Sequence, residues 1–169
     1  MKLTDRLLEI NVEIPEATPA LGSYVPYKII NNFIYISGQL PISKENIVQE
    51  GEEISGNINI GTIVVGKVPS KVSITQAKAA AEKCILNTMP LLVLATNNAN
   101  YEDIECVNIS GFINADNDFD NHSEIINGAS DLIFKILGEN GKHSRIAVGC
   151  NSLPKNACVE ISSIFQIKK

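Results

Sequence analysis

Residues 144–167, SRIAVGCNSLPKNACVEISSIFQI, decide how the chain folds. Two runs rich in β-branched and apolar residues, Ser144–Cys150 and Ala157–Ile167, flank a loop containing Pro154, and both read as strands. Side chains alternate faces along a strand. Ile146, Val148 and Cys150 therefore share one face of the first run, and Arg145, Ala147 and Gly149 share the other. In the second run Val159 and Ile161 share a face, with Cys158, Glu160 and Ser162 opposite them. Direct pairing across the Asn151–Pro154 loop makes a β-hairpin, and its symmetric register sets Arg145 opposite Glu160. Two readings of that pair stay open on pattern alone. One is a cross-strand ion pair on an exposed sheet face, contributing about 0.2–1 kcal/mol. The other is a small-molecule carboxylate site. Arginine offers a planar fork of donors that suits a carboxylate, and Ala147 and Gly149 are small enough to form a pocket floor beside it. Glu160 would then steady the guanidinium or activate a water.

Working outward, His122–Leu137 carries Ile125, Ile126, Ala129, Leu132, Ile133, Ile136 and Leu137 at helical spacing, with Gly138 to end the helix. Asn121 followed by Glu124 resembles a capping box. A second helix is expected from Ser73 to about Asn97, kinked at Pro90. Ile104–Ile113 reads as a strand, and Tyr27–Ile36 as a hairpin turning at Asn31-Asn32. A short helix over Thr4–Ile10 precedes these elements. Residues 43–71 form a polar, glycine-dotted insertion with one strand candidate at Thr62–Val65. The order ββ(β)αβαββ, with two helices crossing from strand to strand, predicts an α+β mixed sheet with both helices on one face. The other face would lie open to solvent or against further subunits, and an oligomer is expected. A single domain spanning 1–169 is expected, with 1–16 as an N-terminal helical extension.

Bulk properties narrow the function. The 169 residues carry a net charge of −5 with scattered lysines and arginines, which argues against nucleic acid as a partner. Four cysteines with no Cys-x-x-Cys spacing and only two histidines leave no zinc cluster. They point to a reduced, cytoplasmic protein. No apolar window reaches membrane-spanning length. The Asn114–Asn121 cluster lacks the glycine and terminal glutamate of a calcium loop and reads as a turn. His122 and His143 read as a first-turn helix residue and a loop residue, neither placed to serve Arg145.

SRIAVGCNSLPKNACVEISSI resembles the C-terminal signature of the Rid family of reactive intermediate deaminases, also called the YjgF family. PALGSYVPYKIINNFIYISGQLPI resembles its N-terminal signature, and NGASDL the start of its second helix. The three stretches occur in family order and span roughly 17–167. The resemblance implies a chorismate-mutase-like fold, a homotrimer with clefts between subunits, and hydrolysis of 2-imino acids to 2-keto acids and ammonia without metal or cofactor. On that basis Arg145 grips the substrate carboxylate and Glu160 handles water or a proton. Tyr24, Ser37, Gly38 and Asn127 line the cleft, and Ala147 stands where many members have a cysteine. By residue type alone Tyr24 reads as a packing residue and Asn127 as a surface or capping one. A non-catalytic module binding a small carboxylate is the alternative function. Endoribonuclease activity, an older label for the family, fits the acidic balance less well.

Overall fold

The computed structural model describes residues 1–17, 22–43 and 62–168. After α1 (Leu3–Glu9) come β1 (Tyr27–Ile30) and β2 (Phe33–Gln39), joined at Asn31, whose φ of 56° asparagine tolerates well. Short strands β3 (Ile42–Ser43) and β4 (Thr62–Ile63) pair antiparallel, and residues 44–61 lie outside the described ones. Helix α2 (Ile74–Ala95) starts at a capping box in which the Ser73 hydroxyl and Gln76 satisfy each other's backbone N–H groups. It continues through Pro90 as one assigned helix. Then follow β5 (Ile104–Asn114), α3 (His122–Leu137), β6 (Ser144–Cys150) and β7 (Val159–Ile167).

The five long strands form one mixed sheet in the order β1-β2-β7-β5-β6. Strand β6 pairs parallel with β5, setting Arg145 beside Ile109. Strand β7 pairs antiparallel with the other side of β5, setting Glu160 beside Phe112. The hairpin expected from residues 144–167 therefore does not form. The two strands run antiparallel, but β5 lies between them. The reason is the intervening helix: β5, α3 and β6 make a strand–helix–strand unit whose crossover returns a parallel neighbour.

Both long helices pack on one face. Every apolar residue of the α3 stripe is buried, as are Ala77, Ala81 and Cys84 of α2. They meet Ile34 and Ile36 of β2, Ile109 and Ile113 of β5, and Val159, Ile161 and Phe165 of β7, all nearly inaccessible. The expected cap at Asn121 is absent, because its side chain makes no capping bond. Glu124 is engaged instead by Lys78 of α2 at 2.7 Å. The first helix starts at Leu3 with Lys2 as its cap, and Thr4 is already inside it. Leu3 and Leu7 enter the same core. Arg6 donates to the carbonyls of Ile136 (3.2 Å) and Lys135 (3.1 Å), placing a cation where α3 presents its unpaired C-terminal oxygens.

Candidate functional site

Paired residues on neighbouring strands share a face, so the register places each candidate. Arg145, Ala147 and Gly149 pair with Ile109, Gly111 and Ile113 on the helix-covered side. Glu160 pairs with Phe112, between the buried Val159 and Ile161, and points to the open side. Arg145 and Glu160 thus lie on opposite faces of the sheet, two strands and three residues apart, roughly 14 Å between backbones. Neither a salt bridge nor a shared site within one copy of the chain is available to them.

The small residues beside Arg145 also have a different role from a pocket floor. A Cβ at Gly149 would lie 2.5 Å from His122 Nε2, and Ala147 packs against the core. Strand β6 is small on this side because the start of α3 rests on it.

Arg145 is exposed at the sheet edge and reaches up to α3. Its Nη1 donates to Ser130 Oγ at 3.0 Å and its Nη2 to the carbonyl of Ser123 at 3.4 Å. Asn127 sits between them on the same helical stripe, donating from Nδ2 to Glu124 Oε2 at 3.2 Å. The structure therefore brings Arg145 and Asn127 together. Behind them, Ser130 Oγ lies 3.0 Å from His143 Nε2, and His143 Nδ1 lies 2.6 Å from the carbonyl of Gly141. His143, expected to stand apart from Arg145, is thus linked to it through Ser130. Sequence reading passes over this link because thirteen residues and a turn separate Ser130 from His143. Burial lowers the His143 pKa, the Gly141 bond opposes that, and the Arg145 charge adds to the lowering. Among the described residues, only neutral groups hold the guanidinium, so its charge remains uncompensated.

Of the remaining candidates, Gly38 lies against Glu160. Between Ile36 and Gln39 the β2–β7 register shifts by one residue, and Ser37-Gly38 forms that bulge. A methyl group on Gly38 would overlap the Glu160 carboxylate, so glycine there makes room for it. Ser37 Oγ donates to the carbonyl of Val25 at 2.7 Å, tying down the loop that carries Tyr24, itself about half exposed. Glu160 is half-buried, and burial raises its pKa. Burial also pushes the thiols of Cys106 and Cys158 up to about 12, which leaves them inert. Among the described residues no group of three or more potential metal ligands occurs.

The family described as "YjgF/chorismate mutase-like, putative endoribonuclease" matches residues 4–167. The chain belongs to the YjgF family. Its helix-backed mixed sheet is the family's chorismate-mutase-like fold. A crystal structure of the protein Atu1372 from Agrobacterium tumefaciens, of unknown function, is 35% identical. That alignment covers 98% of this chain and 94% of the other, with a TM-score of 0.79. Protein TCP17 of Trypanosoma cruzi is 27% identical, over 98% of this chain and 94% of its own. The "putative regulator AldR" of Lactococcus lactis is 28% identical, over 90% and 94%. Among the described residues no helix is long and apolar enough to cross a membrane.

Proposed function

We propose that this YjgF protein hydrolyses 2-imino acids to 2-keto acids and ammonia, in the manner of a 2-iminobutanoate/2-iminopropanoate deaminase. The observation that carries the reading is Arg145, whose guanidinium is held by a hydroxyl and a backbone carbonyl with its charge left for an anion. An α-carboxylate on the remaining donors would lie beside Asn127. The imine carbon of such a substrate is already electrophilic, so orientation and a positioned water supply most of the acceleration required. Glu160 is suited to handling that water, since burial raises its pKa toward the working range of a general base.

Within one copy the sheet separates these two groups. The reading therefore includes a homotrimer in which Arg145 and Asn127 of one subunit face Glu160, Gly38 and Tyr24 of a neighbour. The open sheet face supports this assembly, because Ile30, Tyr35, Phe112 and Ile146 are exposed on it.

The test couples an amino-acid oxidase, which generates the imine in place, to keto-acid detection. Wild type should accelerate keto-acid release, and Arg145→Ala should abolish the gain. Equal rates in the two proteins would sink the deaminase reading. A second reading, a module that binds a small carboxylate without turnover, is favoured by Ala147, since no thiol stands two residues beyond Arg145. Keto-acid binding without acceleration would select it.

A further inference from the structure

An exposed arginine on an edge strand ordinarily samples many rotamers, and a ligand must restrict them at a cost in side-chain entropy. We propose that Ser130 and His143 are positioning residues, forming a one-way hydrogen-bond relay that orients Arg145 for an incoming carboxylate. The role rests on the anion-site reading above and deepens it.

The direction of the relay follows from its far end. The Gly141 carbonyl can only accept, so the 2.6 Å contact puts a hydrogen on His143 Nδ1. In the neutral ring Nε2 is then an acceptor, and the Ser130 hydroxyl, 3.0 Å away, donates to it. With its one hydrogen committed, Ser130 Oγ turns its lone pairs toward Arg145 Nη1. Burial of the imidazole favours the neutral form this requires. The second anchor, the Ser123 carbonyl, lies two helical turns earlier on the stripe that carries Asn127. The guanidinium is thereby laid along α3. Two of its five donors are used among the described residues, and three remain for a ligand. Neither anchor carries charge. A carboxylate in the place of Ser130 would hold the arginine equally still but would neutralise it.

Two measurements on the full chain test this. In the free protein, ¹⁵N NMR should find His143 as the Nδ1–H tautomer and rotation about the Arg145 Nε–Cζ bond slowed. The slowing should be lost in Ser130→Ala. In the second measurement pyruvate, the simplest 2-keto acid, is titrated calorimetrically. Ser130→Ala should bind it roughly three- to tenfold more weakly, the equivalent of one hydrogen bond. Two His143 variants separate the relay from simple bracing of the turn. His143→Gln can present an acceptor near the position of Nε2, and should bind within about twofold of wild type. His143→Asn keeps the link to Gly141 but loses the link to Ser130, and should match Ser130→Ala.

The proposal is overturned if His143 is the Nε2–H tautomer, or if the Asn variant outperforms the Gln variant. It also falls, with the anion site left standing, if Ser130→Ala binds as wild type does while Arg145→Ala does not bind. Wild-type affinity in Arg145→Ala overturns the anion site itself, and the relay with it. Thermal midpoints of all variants exclude loss of fold as the cause.

Discussion

Replacing Gly38 by alanine adds one methyl group at the point where β2 bulges toward Glu160. The new carbon would overlap Oε1 of Glu160 and lie 3.0 Å from its Cδ and 3.3 Å from its Cγ. All three atoms belong to the free end of a flexible side chain, so the carboxylate swings away and the backbone stays. Moving one side chain to a poorer rotamer costs about 0.5–1.5 kcal/mol. Alanine offsets part of that by restricting the unfolded chain, by about 0.4–1 kcal/mol. The net change in stability is then within about 1 kcal/mol, or at most about 4 °C in Tm for a chain of this size. Gly128→Ala is the contrast. Its methyl would overlap the backbone carbonyl oxygen of Lys78 and sit 3.0 Å from the carbonyl carbon, where α3 crosses α2. Neither helix can yield there without repacking, which costs about 1–3 kcal/mol or more. Differential scanning calorimetry of both variants, with ¹³C NMR titration of Glu160, measures the difference. In Gly38→Ala the Glu160 pKa should fall toward its ordinary value as the carboxylate regains water, and the proposed imine hydrolysis should drop without unfolding. A Gly38→Ala protein as destabilised as Gly128→Ala, or one whose Glu160 titrates unchanged, would refute the assigned contact.

Glu160 also gives a pH signature. Burial raises its folded pKa, so the charged form is disfavoured in the native state. Its cost to stability is present above the folded pKa and vanishes as pH falls through it to below the unfolded value of about 4.3. Glu160→Gln should therefore be more stable than wild type at pH 7 in urea unfolding, with the advantage gone at pH 4. Asn87, buried in α2, donates to the carbonyls of Leu40 (2.8 Å) and Ile42 (3.1 Å) and ties the β2–β3 connection to the helix. Asn87→Ala should lower unfolding free energy by about 1–3 kcal/mol, because two carbonyls lose their donor. An unchanged denaturation midpoint would contradict that.

The helices and strands could be read from the residues because their signals are local. The apolar stripe of α3 and the alternation of β6 each place an element to within a residue or two. Pairing is not local. The loop at Asn151–Pro154 looks like a hairpin turn, and nothing inside 144–167 reports that β5 already lies between the two strands. The same limit applies to the site. Arg145 stood out through its small neighbours, yet Ala147 and Gly149 are small to admit α3. His143 could not be linked to Arg145 without knowing where Ser130 falls on the helix. The matches to the family's signatures picked out Tyr24, Ser37, Gly38 and Asn127, which periodicity alone leaves among ordinary loop and surface residues.

A sheet that keeps Arg145 on one side and Glu160 on the other has a consequence for mixed populations of the protein. If one catalytic unit draws its arginine from one copy and its glutamate from the next, two inactive variants can complement each other. Arg145→Ala and Glu160→Gln, unfolded and refolded together in equal amounts, would regenerate roughly one intact pairing in four by random assortment. Each variant refolded alone would regenerate none. Recovery of activity on mixing would then count copies per site, using chains that are each silent by themselves.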